Sequence, residues 1–442
     1  MIGVFVSLVG GAAARPTLFY DPVMSQFLAA TPLLVVALTA LPIALMIAHR
    51  PQRGVLLLVA VVPYWGLDAI LPIPQGWKEA LALYTLLWTI FSIVGKPRVR
   101  RPLPKIVQPF LAYLGVALCS ALVVRGIQAA VGLKIGFFWA LMAVLVWLRP
   151  LNARERDQVV TIMMVNAVIT SFVGLAQQVI GGAGLAKLGY QYNTTIRFTG
   201  HFLRSFSTFG LPFDFGFYLA LVIVIGMAVS LPEPRRRRSI FFFCSLPVIS
   251  AGLVFTFVRG AWLVVAVGLA HLAFTRHRGL LLAAPVALLG LLFLPGKFAT
   301  SALGATSLNE RSQSWTQNIS KIFDPLGHGI GSAGSAAAKV EQLRGLQGLA
   351  YQPDNQYFKT SFEIGVLGLF FFIFLLVSAF QTARAAATHL QGRDQALAGG
   401  LTAHILAVII AGFVATYFEI FPMDFYFWLL LGILVSTDHA TL

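Results

Sequence analysis

Long apolar runs recur along almost the whole chain, and this repetition limits the possible folds more than any other feature. A spanning helix needs about 20 consecutive apolar residues to cross the hydrocarbon core of a bilayer. Inside lipid every backbone polar group must be satisfied internally, which restricts spanning structures to helices and closed barrels. Of the 442 residues, 58% are hydrophobic and 11% charged, against about 25% charged in an ordinary soluble domain. No soluble core of this size needs so much apolar surface. The expected fold is an all-α polytopic membrane protein with about 12–14 transmembrane helices.

The runs fall near 27–48, 54–73, 76–95, 108–125, 130–148, 157–180, 209–230, 239–257, 260–275 and 279–295. A hydrophilic stretch, 296–359, follows, and three more spans lie near 361–383, 399–418 and 424–438. The organisation is therefore an N-terminal transmembrane bundle (1–295), a large external loop (296–359) and a C-terminal part with three spans (360–442). Residues 2–14 are apolar but have no basic segment before them, so a cleaved leader is not expected. Cys119 and Cys244 each sit inside an apolar run without metal-ligand spacing and are expected to be buried core thiols.

The net charge is +16. In a soluble chain this would suggest nucleic acid, but here much of the excess lies in short loops between spans. Clusters at 50–53, 96–105, 149–156, 235–238, 276–278 and 384–393 all fall on one side if every second connection is cytoplasmic. That is the distribution of cytoplasmic loops. Nucleic acid is not an expected partner; the bilayer is. Loop 181–206, Arg259 and loop 296–359 are then external.

Several arginines break the rule by lying on the external side, among them Arg197, Arg204, Arg259 and Arg311. Arg259 sits in FTFVRGAWL between apolar residues, where a guanidinium is costly unless it snorkels or faces a polar cavity. Any one of them alone reads as a snorkelling side chain or a structural ion pair. Three of them on one side, Arg204, Arg259 and Arg311, each beside a helix end, suit a lipid-linked phosphate or diphosphate, because guanidinium presents a planar fork matched to phosphate oxygens. PLGHGIGSAGSAA (325–337) is rich in glycine and small residues, and such a turn can bring backbone N–H groups to an anion or simply form a flexible loop. His328 within it reads as a hydrogen-bonded structural residue or a substrate contact. No His-x-x-His or Asp-x-Asp pattern lies on the external side, so neither a metal nor another cofactor is expected.

DNQYFKTSFEIGVLG (354–368) stands where the long loop meets the next span. Asp354 and Asn355 are its polar candidates, Tyr357 and Trp315 offer either sugar stacking or interface anchoring, and Gly365 and Gly368 permit close helix packing. Glu363 reads either as a structural partner for one of the arginines or as a direct participant.

Four stretches in order, RSFSTFGLPFDFGFYLAL (204–221), FTFVRGAWLVV (255–265), NERSQSW with DPLGHGIGSAG (within 309–334) and DNQYFKTSFEIGVLG (354–368), resemble the O-antigen ligase and O-antigen polymerase superfamily. These are multi-span bacterial glycosyltransferases of the GT-C type. The resemblance covers about 200–370 well and the N-terminal half only in general pattern. It implies transfer of a glycan from an undecaprenyl-diphosphate carrier to an acceptor sugar hydroxyl in surface polysaccharide assembly. It implies a location in the bacterial inner membrane with the active site facing the periplasm. Arg204, Arg259 and Arg311 match family arginines and would hold the diphosphate, with Arg259 acting as it leaves. Family ligases carry His, then Asn, Ser or Gln, then nine residues, then Gly-x-x-Gly. Asn355, Gly365 and Gly368 fit that spacing, and Asp354 stands at the histidine position. A carboxylate there can take a proton from a sugar hydroxyl or merely orient the sugar. Polymerase and ligase remain open. The competing class is a transporter or flippase for a lipid-linked or polyanionic substrate, which would place its charges within spans along a path open to both sides.

Overall fold

The computed structural model describes residues 41–94, 103–282, 324–346 and 351–438. Residues 1–50 form a separate unit, of which 41–49 are helical; residues 51–442 form the main unit. The following concerns the main unit.

Its helices are α1 (Pro51–Val61), α2 (Trp77–Ile93), α3 (Val107–Val124), α4 (Gly126–Phe137), α5 (Leu141–Leu148), α6 (Ala153–Lys187), α7 (Pro212–Ser230), α8 (Arg237–Phe255) and α9 (Arg259–Thr275). After the gap in the described chain come α10 (Gly334–Leu343), α11 (Gln356–His389), α12 (Gly392–Ala411) and α13 (Met423–Asp438). Two short strands, β1 (Phe198–Thr199) and β2 (Phe202–Leu203), pair antiparallel. The fold is all-α and polytopic, as the apolar runs require. Among the described residues seven helices are long and apolar enough to cross a membrane, and two shorter apolar ones accompany them.

The bundle is built around α7. Every residue from Asp214 to Ser230 is buried, which is the expected consequence of a helix apolar on all sides. α9, α8 and α12 pack on it, and α13, also buried along its length, packs against α5 and α11. Outward faces of α3, α6 and α11 expose large apolar side chains such as Leu118, Phe172 and Phe370. Cys119 and Cys244 lie on such faces and are exposed, not buried in the core. A thiol is small and weakly polar, so lipid accepts it as readily as the core does.

Several helix ends follow from local chemistry. The run at 54–73 is not one helix: α1 gives way to a 3₁₀ turn at Val62–Ala69, where Pro63 lacks the N–H an α-helix would need. The 130–148 run belongs to one candidate span, Gly126–Leu148, interrupted by a 3₁₀ turn at Phe138–Ala140. α6 starts at a capping box in which Asn152 Oδ1 accepts from the Glu155 N–H (2.9 Å) and Glu155 returns the bond to the Asn152 N–H (2.8 Å). Its straight part ends at Gly181, whose φ of 69° breaks the helix.

One end of the bundle is tied by ion pairs. Arg156 makes a two-toothed contact with Asp394 (2.6 and 2.8 Å), Arg236 does the same with Asp157 (2.6 and 3.0 Å), and Arg238 also reaches Asp157. Arg393 pairs with Glu233 at 3.2 Å, and Arg276 donates to the Ala387 carbonyl. Four of the basic clusters expected to share one side (149–156, 235–238, 276–278 and 384–393) therefore meet in space. The opposite ends of these helices carry the external candidates.

Candidate active site

The arginine side is built from a hairpin and a turn. β1 and β2 place Arg197 and Arg204 as neighbours across the hairpin, since the Arg204 N–H donates to the Arg197 carbonyl (2.8 Å). The strand then docks on the α8–α9 turn: Ser205 N–H donates to the Phe255 carbonyl (2.9 Å) and Arg204 Nε to the Thr256 carbonyl (3.2 Å). The Arg204 guanidinium also lies over the Phe213 ring, 4.8 Å from its centre, a cation–π placement that fixes its direction. Burial pulls the Arg197 guanidinium below its ordinary value, with Asp214 pulling the other way.

The turn itself is unusual. Phe257 adopts φ 53°, a left-handed conformation that disfavours a bulky residue. It is held there by ring stacking on Phe202 (5.8 Å, 28°) and by Thr256, whose hydroxyl donates to the Leu253 carbonyl (2.6 Å) and accepts from the Val258 N–H (3.2 Å). The reversal puts Arg259 at the first residue of α9, half-buried. Thus the segments bearing Arg197, Arg204 and Arg259 are brought together by direct hydrogen bonds. Arg311 and Trp315 lie outside the described residues.

Sequence reasoning missed what holds the hairpin. Gln177 Oε1 accepts from the N–H groups of Phe206 (3.1 Å) and Ser207 (2.8 Å), and its Nε2 donates to the Ser207 carbonyl. Gln178 Nε2 donates to the Leu203 carbonyl and to Ser205 Oγ. Two adjacent amides, Gln177 and Gln178, near the end of a mostly apolar span were the available signal, because polar groups in a span turn towards the bundle interior.

The other side is the start of α11. Asn355 is its N-cap: Oδ1 accepts from the N–H groups of Tyr357 (2.9 Å) and Phe358 (3.0 Å), and the residue is 1% exposed. Its side-chain oxygen is committed to the backbone. Asp354, one residue earlier, is exposed. Tyr357 donates its hydroxyl to the Ile409 carbonyl (2.5 Å), and its ring packs on Phe413 (4.6 Å). His328 is exposed; its ring stacks flat on Phe362 (4.2 Å, 4°) and its N–H donates to the Phe362 carbonyl (2.7 Å).

Gly365 does more than permit packing. Its φ is 78°, so α11 is two helices joined at a kink. The glycine-rich segment crosses the kink: a Cβ on Gly365 would lie 2.1 Å from the Pro325 carbonyl oxygen. The Val366 N–H freed there donates to the Asp324 carbonyl (3.1 Å). Gly368 fits the simpler reading, with a Cβ meeting Ile364 and Val116 side chains.

The glycine-rich turn does bring N–H groups to an anion, and that anion is Glu363. Its Oε1 accepts from Gly331 (3.0 Å) and Ala333 (3.2 Å). Its partner cation is Lys359 (2.5 Å), not an arginine as the sequence suggested. Lys359 also reaches Glu419 at 3.1 Å. Gln356, Lys359, Thr360 and Glu363 form a polar stripe with helical spacing on the buried face of α11.

The connection 412–419 joins the two sides. It accepts the Gln356 N–H at the Gly412 carbonyl (2.7 Å), and the Phe418 N–H donates to Gln356 Oε1 (3.2 Å). On its other flank Ala415 faces Gly260, the residue after Arg259, and Tyr417 packs edge-on against Phe217. Arg259, the first residue of α9, and Asp354, just before the N-cap of α11, thus stand at helix starts that lean on one short connection. Among the described residues no group of three His, Cys, Asp or Glu side chains is arranged to hold a metal ion.

Fold and candidate site together define a multi-pass membrane protein with a polar, arginine-bearing end. Residues 240–373 match the family model described as O-Antigen ligase, and the match supports membership of the O-antigen ligase and polymerase superfamily. It takes in Arg259, the glycine-rich segment and the first half of α11. A comparison with curated proteins gave no match. The family match supports an O-antigen ligase- or polymerase-type function in polysaccharide assembly, acting on lipid-linked glycans in a membrane.

Proposed function

We propose that the chain is a glycosyltransferase of the bacterial inner membrane that moves a glycan from undecaprenyl diphosphate to an acceptor sugar hydroxyl on the periplasmic side. The observation that carries this reading is the common support of Arg259 and Asp354 by the 412–419 connection, with Arg197 and Arg204 docked on the turn before Arg259. Guanidinium groups hold the diphosphate and stabilise its growing negative charge as the glycosidic oxygen leaves. Asp354 accepts the proton of the attacking acceptor hydroxyl. By the resemblance Arg311 is assigned to the donor diphosphate, and His328, Tyr357 and Trp315 are the candidate sugar contacts. Asn355, as the N-cap, sets the direction in which Asp354 is presented.

Diphosphate is a good leaving group, so a single displacement with inversion suffices and the charge is met by arginine. Transfer in proteoliposomes supplied with a polyprenyl-diphosphate-linked glycan is expected to continue in EDTA at about the untreated rate, within roughly twofold. Movement of the lipid-linked sugar across the bilayer without a new glycosidic bond would overturn the reading. The ion pairs that tie one end of the bundle speak against a path open to both sides. For Asp354→Ala we expect kcat to fall by about 10²–10⁴, the usual contribution of a positioned base. Turnover within a few-fold of wild type would remove Asp354 from the chemistry.

A further inference from the structure

The chain buries one ammonium and two carboxylates at the start of α11. Side-chain exposure is 10% for Lys359, 3% for Glu363 and 4% for Glu419. Charges taken out of water persist only when paired and hydrogen-bonded. Here a single lysine faces both carboxylates, and backbone N–H groups meet the remaining oxygen demand. Gly331 and Ala333 donate to Glu363, and the Ser335 N–H, in the first turn of α10, donates to Glu419 Oε1 (3.1 Å). An anion at the positive end of a helix is favoured by the helix dipole.

The three residues come from two segments: Lys359 and Glu363 from the first turns of α11, Glu419 from the 412–419 connection. Their N–H partners belong to the glycine-rich segment. The Glu363 carbonyl extends the junction by accepting from the Gly329 N–H (2.9 Å) and Ser120 Oγ (2.8 Å). A cavity of about 40 Å³ lies beside them, lined by Lys359, Glu363, Glu419, Gln356 and Tyr113. This is room for a few waters at most, too little for a sugar. This cavity is therefore not a sugar site.

We infer that Lys359, Glu363 and Glu419 are positioning residues, an ionic clasp that docks the glycine-rich segment onto α11 and so fixes where Asp354 stands relative to the arginine side. The inference rests on the glycosyl-transfer reading above. Its logic is geometric. Asp354 lies one residue before the N-cap of a helix whose first two turns are separated from the rest by the Gly365 kink. Such a short helix has few backbone bonds of its own, so its direction depends on side-chain anchors. Tyr357 and Gln356 anchor it to the end of α12 and the 412–419 connection, and the ion cluster ties it to that connection and to the glycine-rich segment. Releasing the cluster lets the helix start tilt, and a displacement of about 1 Å at a reacting group can cost on the order of 10²-fold in rate.

The test compares wild type, Glu363→Gln and Glu419→Gln, the second retaining the Lys359–Glu363 pair if the first folds poorly. Two readouts are taken in the same detergent or nanodisc sample: hydrogen exchange of the 329–335 amides, and glycan transfer resolved into kcat and donor KM. The clasp predicts exchange of Gly331 and Ala333 amides faster by roughly tenfold or more in Glu363→Gln, and of Ser335 in Glu419→Gln. It also predicts kcat lower by roughly ten- to hundredfold with donor KM within about twofold, because the diphosphate is held elsewhere. Unchanged exchange would show that the carboxylates do not hold the segment. Faster exchange with wild-type kcat would show that the docking does not position the chemistry. A rise in donor KM at constant kcat would assign the cluster to donor binding instead. The exchange arm needs no activity, so a wild-type protein that transfers no glycan would overturn the function while leaving the clasp to be judged by itself.

Discussion

Arg259→Ala is expected to lower glycan transfer by about 10²–10³-fold, the cost of removing one charge-stabilising donor from a prearranged site. The residue opens α9, immediately after the strained turn at Phe257. That placement gives the guanidinium a fixed backbone origin rather than a mobile loop. Loss should appear in both kcat and kcat/KM if the interaction strengthens as the diphosphate departs, and in KM alone if it only binds the ground state. The fold should survive, because α9 packs on α7 and α12 through residues further along its length. Arg259→Lys discriminates charge from shape: a lysine keeps the charge but loses the planar fork, so partial recovery points to electrostatics and none to two-toothed recognition. Steady-state transfer by purified variants in proteoliposomes, with helicity checked by circular dichroism, makes the measurement. Wild-type rates for Arg259→Ala and Arg204→Ala together would eliminate the diphosphate clamp.

Gly365→Ala should have the largest effect on stability. At φ 78° and ψ 179° the backbone is in a region essentially reserved for glycine, and another residue there costs about 1–3 kcal/mol. In addition the new Cβ would stand 2.1 Å from the Pro325 carbonyl oxygen and 2.7 Å from the Leu326 nitrogen, so the glycine-rich segment must lift away. Lifting it breaks the Val366-to-Asp324, His328-to-Phe362 and Gly329-to-Glu363 backbone bonds. The combined cost is expected to be about 3–5 kcal/mol, among the larger values for a point change. A thermal unfolding midpoint in detergent lowered by several degrees, with loss of transfer, is the expected result. Gly368→Ala is the comparison: its φ is not positive and its Cβ would meet no backbone atom, but it would press on Ile364 Cγ2 and Cβ at 2.4 and 2.6 Å, part of a stiff β-branched side chain, so its cost should be smaller but not zero. If the two variants unfold together with wild type, the kink is not a structural requirement.

These expectations separate into those a reader of the sequence alone could have made and those that needed coordinates. Arg259 was visible because a guanidinium between apolar residues has few inexpensive placements. Gly365 was visible only as a small residue near a helix start. Its left-handed φ depends on a segment some 40 residues earlier in the chain crossing the helix there. The Glu363 partner was misread for a similar reason: arginines were the prominent cations on that side, yet the helix places Lys359 one turn away on the same face. The polar stripe Gln356, Lys359, Thr360, Glu363 was present as a helical period in the letters. It was obscured because the segment was read as a border between loop and span rather than as a helix.

The sequence by itself determined that this chain is an all-α membrane protein, because apolar runs of that length admit no other solution. It also determined which basic clusters share a side, through their alternation between spans, and the ion pairs at one end of the bundle bear this out for 149–156, 235–238, 276–278 and 384–393. The tertiary structure alone decided that the arginine hairpin docks on the α8–α9 turn and that Glu363 fills the glycine-rich turn. Each of these is a contact between residues distant in the chain or a choice among hydrogen-bond partners, and local pattern carries no information about which partner the folded bundle brings within reach.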